Sequence, residues 1–368
     1  MRLNIAANNF DLLRLCAALQ VAILHVAREL SPQYGSAPWV GVLEVFSGVP
    51  IFFFISGFLI SRSYERSKSL TDYALNRTLR IFPALHVCVL LNIIAIALTG
   101  YFTAAGAGFL DVAALYAAKT TLFQFYNPGF MRSFGDGVVN GSLWTICVEL
   151  QFYILTPIIY RLLLSENRTR SNCVLLALVA LSLLCNRLLY GLQAVHAASI
   201  GWKLVRVSFL PWIYMFLTGV LAQRNFDIIS RFLSARALWV SLPLYVGYAL
   251  ALEAMGFRMD NSFSPLLFFP LATLVCAAAY YPSGTVQTLL RGNDVSYGIY
   301  IYHVPVMNMF LFYGYGGSMV FTLAVVTLTL VFAIGSWVVV ERPCLQRKRR
   351  PSHPIVAPQA PILERQLK

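Results

Sequence analysis

The segment that decides the fold reads FDLLRLCAALQVAILHV, from Phe10 to Val26, and most of its side chains are apolar. Apolar stretches of about 20 residues, long enough to cross a bilayer as helices, recur from this segment onward through most of the chain. Of the 368 residues, 58% are hydrophobic and only 12% are charged, whereas a soluble globular domain carries charge on about 25% of its positions. We therefore predict an all-α, polytopic integral membrane protein that contacts the lipid bilayer.

Charged residues, prolines and glycines bound about ten candidate transmembrane helices. We expect these helices near residues 10–30, 40–61, 81–100, 142–163, 173–192, 207–223, 237–254, 264–282, 295–313 and 319–341. The long connection 101–141 is expected to hold short helices at the membrane interface. One transmembrane domain is assigned to residues 1–342, and a basic, disordered cytoplasmic tail to residues 343–368.

The basic residues set the predicted orientation. A formal net charge of +13 could indicate a nucleic-acid partner, but the Lys and Arg residues cluster in alternate connections, as the positive-inside rule expects. This distribution predicts cytoplasmic termini, a multi-pass protein of the bacterial inner membrane, and no nucleic-acid partner. The seven cysteines are scattered and form no CxxC pair, so neither a disulfide framework nor a metal site is predicted.

Two ionisable residues of the first segment form the leading candidate site. Arg14 and His25 are eleven residues apart, so they differ by only about 20° around a helix and are separated by about 16 Å along it. A substrate bound along this face could contact both. His25 is suited to act as the general base that deprotonates a hydroxyl, and the alternative is a histidine held by hydrogen bonds between helices.

The segment NGSLWTICVEL places Glu149 about 10 Å below the outer end of its helix, which is deep for a carboxylate. Glu149 could orient His25 or accept a hydrogen bond from the substrate, and the alternative is an ion pair with Arg14 or another buried cation that only fixes the packing. Ser142 is interpreted as a helix N-cap and Trp144 as an anchor at the membrane interface. Both are also candidate substrate-binding residues.

Two further pairs of polar residues are candidates. Arg77 and Arg80, in NRTLRIFP, lie three residues apart, and their guanidinium groups could bind the phosphates of a donor such as coenzyme A. The alternative is charge that only sets topology. Tyr300 and His303, in SYGIYIYHVPV, could line a polar interior that binds substrate, although a structural role is the alternative for His303 beside Pro305.

In the order and spacing of its motifs, the chain resembles the type-3 family of membrane acyltransferases. The similarity covers nearly the whole chain. It runs from FDLLRLCAALQVAILH through GVPIFFFISGFLI, NRTLRIFP, NGSLWTICVE and SYGIYIYHVPV to the closing VVVERP. Each motif alone is weak, and the combination is specific.

The resemblance implies that Arg14 and His25 form the family's Arg-to-His motif, with His25 the leading catalytic residue. It implies that Arg77 and Arg80 lie near the acyl-donor site. It also implies a functional patch on a later helix, formed by Ser142, Trp144 and Glu149. Acetyl-CoA is the expected donor, bound as a substrate, and no bound cofactor is expected.

The expected reaction is transfer of an acetyl or other short acyl group from acyl-CoA to a hydroxyl of a carbohydrate or glycolipid acceptor. An exopolysaccharide, a lipopolysaccharide and a lipochito-oligosaccharide nodulation signal all fit. A secondary transporter that exports a glycan or small solute is the main alternative, because buried Arg, His and Glu residues also serve proton coupling. A non-catalytic scaffold ranks last, since it leaves the cofacial Arg14 and His25 unexplained.

Overall fold

The computed structural model describes residues 4–196, 199–257, 265–281, 290 and 292–347. Within these ranges all regular secondary structure is helical, so the all-α prediction is confirmed. The α-helices are α1 (Phe10–Glu29), α2 (Pro38–Val45), α3 (Gly48–Arg66), α4 (Leu70–Leu98), α5 (Tyr101–Ala104), α6 (Phe109–Lys119), α7 (Trp144–Ile158), α8 (Arg168–His196), α9 (Ile200–Arg206), α10 (Ile213–Arg224), α11 (Phe226–Ile229), α12 (Ala235–Ala254), α13 (Pro265–Ala279), α14 (Ser296–Phe312), α15 (Met319–Ser336) and α16 (Arg342–Gln346).

Seven helical segments of the described chain are long and apolar enough to cross a membrane. They are Phe10–Glu29, Pro38–Arg66, Leu70–Leu98, Gly141–Leu163, Arg168–Leu192, Arg236–Ala254 and Met319–Gln346. Three of the predicted spans correspond to the shorter helices α10, α13 and α14, which have 12, 15 and 17 residues. The membrane character follows from these helices, and the number of ten crossings stays a prediction.

Two helices differ from their predicted bounds. Helix α4 begins at Leu70, eleven residues before the predicted start, and the Ser69 side chain caps it by accepting a hydrogen bond from the Asp72 amide (3.1 Å). Arg77 and Arg80 therefore lie inside α4 and not in the loop before it. The predicted 40–61 helix is interrupted, because α2 ends at Val45 and α3 begins at Gly48.

Glycines allow helices to approach closely around α3. A Cβ atom at Gly57 would lie 1.9 Å from the Phe216 carbonyl oxygen of α10, and one at Gly219 would lie 2.1 Å from the Phe54 carbonyl oxygen of α3. Small residues commonly permit such contact between membrane helices. Helix α3 packs between α1 and α10, and α14 packs against α1, α4 and α15. Residues 296–308 of α14 are all buried, which places this part of the helix in the interior of the protein.

The long connection after α4 contains the short helices α5 and α6, as predicted, and a 3₁₀ turn at Gly129–Met131. It folds back onto the end of α14, where Asn308 accepts a hydrogen bond from the Asp136 amide (3.0 Å) and donates one to the Val138 carbonyl (2.8 Å). The proposed tail starts as helix α16, and residues 348–368 lie outside the described residues. Its assignment as a disordered tail therefore stays a prediction.

Candidate active site

A cluster of charged residues lies at one end of α1. Arg14 Nη1 is 2.5 Å from Asp294 Oδ2, and the same carboxylate oxygen accepts a hydrogen bond from Arg80 Nη2. The other oxygen, Oδ1, accepts hydrogen bonds from the backbone amide (3.1 Å) and hydroxyl of Ser296 at the start of α14. Glu341 Oε2 is 4.0 Å from Arg80 Nη1. We call Arg14, Arg80, Asp294 and Glu341 the arginine–carboxylate cluster.

Asp294 holds three helices at this point, because it bonds to α1, α4 and α14. Burial raises the pKa of its carboxyl group, but Arg14 and Arg80 oppose this effect and hold the pKa below its usual range, with help from Ser296. Asp294 therefore stays ionised and paired. The partner of Arg14 at the end of α1 is therefore Asp294, which was not predicted from the sequence.

Two histidines meet towards the other end of α1. His25 Nδ1 lies 3.0 Å from His303 Nε2, and His303 Nδ1 lies 3.2 Å from the Ile299 carbonyl oxygen one turn earlier in α14. His303 is fully buried, whereas His25 is partly exposed. The rings of Tyr300 and His303 are 5.9 Å apart, edge to face. The structure therefore brings His25, Tyr300 and His303 together.

Pro305 adjusts the backbone of α14 beside this pair. A proline has no amide hydrogen, so the carbonyl of the residue four positions earlier loses its helical partner. That carbonyl belongs to Ile301, and it accepts hydrogen bonds from the Asn140 side chain (2.9 Å) and from Cys88 Sγ (3.3 Å) instead. These bonds attach α14 to the start of α7 and to α4, and they fix the turn that carries His303.

A narrow cavity lies between α1, α3, α7 and α14. Arg14, Glu149 and Tyr300 supply polar groups to its wall, and Tyr300 also contacts the His303 ring. The remaining lining residues are Val49, Phe52, Phe53, Thr145, Ile146 and Tyr297. A mostly apolar cavity with a few convergent polar groups is typical of a small-molecule site. Arg14 connects it to the arginine–carboxylate cluster, whereas neither histidine of the pair lines it and Tyr300 is the lining residue whose ring contacts His303.

Glu149 has different partners from the two that the sequence suggested. Its Oε1 accepts hydrogen bonds from the Ser56 hydroxyl (3.0 Å) and from the Tyr153 hydroxyl (2.9 Å). Within the described part of the chain, it forms no hydrogen bond or ion pair with His25 or Arg14. The ion pair with Arg14 is therefore wrong, because Arg14 is bound to Asp294. Among the described contacts, Glu149 likewise has none with His25, so the predicted orientation of His25 by Glu149 is not observed.

The predicted N-cap at Ser142 is also wrong. Ser142 lies inside a 3₁₀ turn, Gly141–Leu143, that precedes α7, and Asn140 caps this turn. The Asn140 side-chain oxygen accepts hydrogen bonds from the Ser142 amide (3.3 Å) and hydroxyl (2.7 Å). The buried Ser142 hydroxyl also lies 3.1 Å from the Tyr300 carbonyl. Thr145 adds a hydrogen bond to the Tyr300 hydroxyl (2.6 Å). These contacts join α7 to α14.

Trp144 packs on Trp212, with ring centroids 5.1 Å apart.

Arg77 and Arg80 have separate partners although they are neighbours on α4. Arg77 donates a hydrogen bond to the Ser63 hydroxyl (3.1 Å) and lies over the Tyr153 ring, 5.6 Å from its centroid. Arg80 belongs to the arginine–carboxylate cluster. The two guanidinium groups therefore do not converge on a common partner within the protein, and joint binding of a phosphate stays a prediction.

Five residues of this region were not predicted from the sequence, namely Asp294 and Glu341 in the cluster, Ser56 and Tyr153 around Glu149, and Thr145 beside Tyr300. Asp294 carries one local signal, since an Asp just before an apolar helix is a common capping residue. Its pairing with Arg14, 280 positions away, has no local signal.

The chain is similar in sequence to a known family and to several known proteins. The family described as an acyltransferase domain matches residues 8–341. Nodulation protein 10 of Rhizobium leguminosarum bv. viciae is 33% identical over 353 residues, which cover 92% of this chain and 93% of that protein. The O-acetyl transferase of Shigella phage Sf6 is 28% identical over 366 residues, which cover 93% of this chain and 97% of that protein.

A more distant relative is the peptidoglycan O-acetyltransferase of Listeria monocytogenes, 23% identical over 297 residues, which cover 72% of this chain and 45% of that protein. No solved structure matches the chain significantly. The family match spans nearly all of the helical chain that carries the cavity and the histidine pair. The chain therefore belongs to the type-3 acyltransferase family and is an acyl-transferring enzyme.

Proposed function

We propose that this enzyme transfers an acetyl or other short acyl group from acyl-CoA to a hydroxyl of a glycan at the bacterial inner membrane. The observation that carries the proposal is the His25–His303 pair, which the Tyr300 ring joins to a cavity whose wall includes Arg14. Relatives named as O-acetyl transferase and peptidoglycan O-acetyltransferase support an oxygen acceptor. An exopolysaccharide, a lipopolysaccharide or a lipochito-oligosaccharide nodulation signal supplies such hydroxyls.

The proposed topology has ten crossings, made by the seven long segments together with α10, α13 and α14. Both termini are cytoplasmic, which places most Lys and Arg residues on the cytoplasmic side. In this orientation the arginine–carboxylate cluster lies at the cytoplasmic end of α1, and His25 lies about 16 Å further towards the outer face. Donor and acceptor would then approach the cavity from opposite sides.

The donor is proposed to enter beside α4, with acetyl-CoA as the expected substrate. The Nε atom of Arg77 is buried and has no hydrogen-bond partner among the described residues, so it could donate to a phosphate oxygen. Arg80 contributes positive charge beside it while it stays bound to Asp294. Arg14, in the cavity wall, would then be near the acyl end of the donor.

The proposed reaction is attack of the acceptor hydroxyl on the thioester. A ring nitrogen of His25 takes the hydroxyl proton while the oxygen attacks the carbonyl carbon. The carbon–sulfur bond then breaks, and the sulfur leaves with the proton from His25. The products are an O-acyl glycan and free coenzyme A. A route through an acyl-histidine is the alternative, and release of coenzyme A without acceptor would distinguish it.

Glu149 and Tyr300 are proposed to act from the cavity wall. Glu149 keeps unused acceptor capacity, since only its Oε1 atom accepts the Ser56 and Tyr153 hydroxyls. It could therefore bind a hydroxyl of the acceptor. Ser142 and Trp144 support the start of α7 through Asn140 and Trp212, so we expect them to act on substrate binding indirectly.

Mass spectrometry of envelope and secreted glycans tests the proposal. Cells that lack the gene would be complemented with wild type or with His25→Ala at equal membrane abundance. We expect an O-acyl group that is restored by the wild type alone, and its mass identifies the donor acyl group. Unchanged acylation in all strains, with full glycan coverage, would contradict the proposed function.

A further inference from the structure

We propose that His303 is a positioning residue that fixes the tautomer of His25, so that His25 presents the lone pair of Nε2 to the acceptor hydroxyl. The functional part of this inference rests on the proposed function. The structural part, which concerns where two protons lie, does not. The two parts can therefore be tested separately.

The Ile299 carbonyl oxygen can only accept a hydrogen bond. His303 Nδ1 lies 3.2 Å from this oxygen. If Nδ1 carried a lone pair, two acceptors would face each other at this distance. Nδ1 of His303 therefore carries hydrogen and donates it to Ile299.

The surroundings of His303 determine its charge. Its side chain is fully buried, and its hydrogen-bond partners within the described chain are a carbonyl oxygen and another imidazole. A buried cation without a carboxylate partner is costly. His303 is therefore neutral in the resting enzyme, and its Nε2 atom has a lone pair because Nδ1 holds the hydrogen.

The lone pair on His303 Nε2 then determines the state of His25. His25 Nδ1 lies 3.0 Å away and must donate. In neutral His25 this leaves Nε2 without hydrogen, on the opposite side of the ring from His303. Nε2 has no protein hydrogen-bond partner within the described residues, so it is free to accept a proton from a substrate.

This arrangement parallels the general role of a third group that orients a catalytic base. A carboxylate often has that role. Here a neutral imidazole, held by a backbone carbonyl, would do it without placing a negative charge beside His25. The contacts of Ile301 with Asn140 and Cys88 hold this turn of α14 in place, so the acceptor atom is preorganised.

If His303 only filled space, its replacement by Gln or by Met would have the same effect on activity. If it positions His25, the two substitutions differ. His303→Gln can place an amide oxygen near the position of Nε2 and accept from His25 Nδ1. His303→Met has a similar volume and no comparable acceptor. His86→Gln is the matched control, because His86 is exposed and bonds to the Tyr116 hydroxyl (2.9 Å), away from the cavity.

The structural part is tested by ¹⁵N NMR of histidine-labelled protein in nanodiscs, without any substrate. His25 is assigned by the signal lost in His25→Gln. We expect a protonated, pyrrole-like Nδ1 and an unprotonated, pyridine-like Nε2 in the wild type, and loss of this preference in His303→Met. A wild-type His25 with hydrogen on Nε2 would overturn the inference, whether or not the protein transfers acyl groups.

The functional part is tested by coenzyme A release from acetyl-CoA, with the glycan identified in the complementation experiment as acceptor. We expect kcat to fall about 100-fold in His303→Met, near the lower bound for loss of general-base catalysis. In His303→Gln it should fall less than about tenfold, because the acceptor atom is retained, and KM for both substrates should change little. Equal kcat for the Gln and Met variants would overturn the positioning role.

Discussion

Arg14 and His25 lie on one face of α1 and both contact residues between 294 and 303, yet their surroundings differ. Arg14 is paired with the ionised Asp294, which also binds Arg80. Among the described residues, the hydrogen-bond partner of His25 is another imidazole. A paired charge keeps its protonation state, whereas a neutral imidazole can take and return a proton. The comparison indicates that the cluster holds the helices together, while the histidine pair is available for proton transfer.

The largest expected effect on stability comes from breaking the cluster. Asp294→Ala leaves Arg14 and Arg80 without their shared partner, and removing one member of a buried ion pair typically costs about 3–5 kcal/mol. Unfolding of detergent-solubilised protein, followed by tryptophan fluorescence, measures this loss. Activity should fall with stability, because α1, α4 and α14 separate at that end.

The matched control is the same substitution in an exposed ion pair. Asp227 pairs with Arg168, and its side chain is 57% exposed. Asp227→Ala should cost less than about 1 kcal/mol, as is usual for surface pairs. If both Asp→Ala variants lost equal stability, Asp294 would not be the residue that joins the three helices.

The ion pairs of Asp294 also make the stability of the protein depend on pH. Burial raises the pKa of Asp294, but Arg14 and Arg80 together lower it by more than burial raises it. The folded-state pKa therefore lies below the ordinary value of 3.8. The stabilisation is therefore complete well above the unfolded-state pKa and is lost as the pH falls below about 4. Melting temperatures across the acid range should fall less steeply for Asp294→Asn than for the wild type. Parallel curves would contradict the pairing.

Glu149 is expected to have an intermediate effect on activity. Glu149→Gln keeps the shape of the side chain and removes its charge, and losing a hydrogen bond to a charged group costs about 1.5–3 kcal/mol. We expect kcat to fall about 10- to 100-fold, with little change in abundance. Glu253→Gln, on α12 and outside this cavity, is the control. Equal rates for the two variants would remove Glu149 from the site.

Thr145 gives the smallest expected effect. Thr145→Val removes the hydrogen bond to the Tyr300 hydroxyl, which is worth about 1 kcal/mol. Tyr300→Phe and the double variant complete a mutant cycle on unfolding free energy. Each single change should cost about this much, and the double variant should cost little more than either one. Additive losses would show that the bond contributes nothing.

The fold was largely predictable from sequence because apolar length sets the positions of membrane helices. Helix α1 was expected at 10–30 and is found at Phe10–Glu29. The start of α4 was predicted too late, because the apolar stretch begins only at Ile81, whereas a helix can extend past the apolar region when its charged residues find partners. Those partners, Ser63 on α3 and Asp294 before α14, become neighbours only on folding.

The same limit applies to the site. Helical periodicity placed Arg14 and His25 on one face, and in the structure His25 contacts His303 of α14 while Arg14 contacts Asp294, two residues before α14. Periodicity could not select their partners. Asp294 and His303 are 280 and 278 positions away along the chain. Glu149 was recognised as a deep carboxylate, but its hydrogen bond to Ser56 depends on how α3 packs against α7. Its other partner, Tyr153, lies one turn further along α7, so helical spacing could have indicated that bond.

The most direct test of proton transfer at the histidine pair is coenzyme A release by purified enzyme in nanodiscs, with acetyl-CoA and the glycan acceptor, comparing His25→Ala with His86→Ala. Loss of a general base typically lowers the rate by about 10² to 10⁴. We predict such a loss for His25→Ala at unchanged melting temperature, and a nearly normal rate for His86→Ala. A nearly normal rate for His25→Ala would contradict the account.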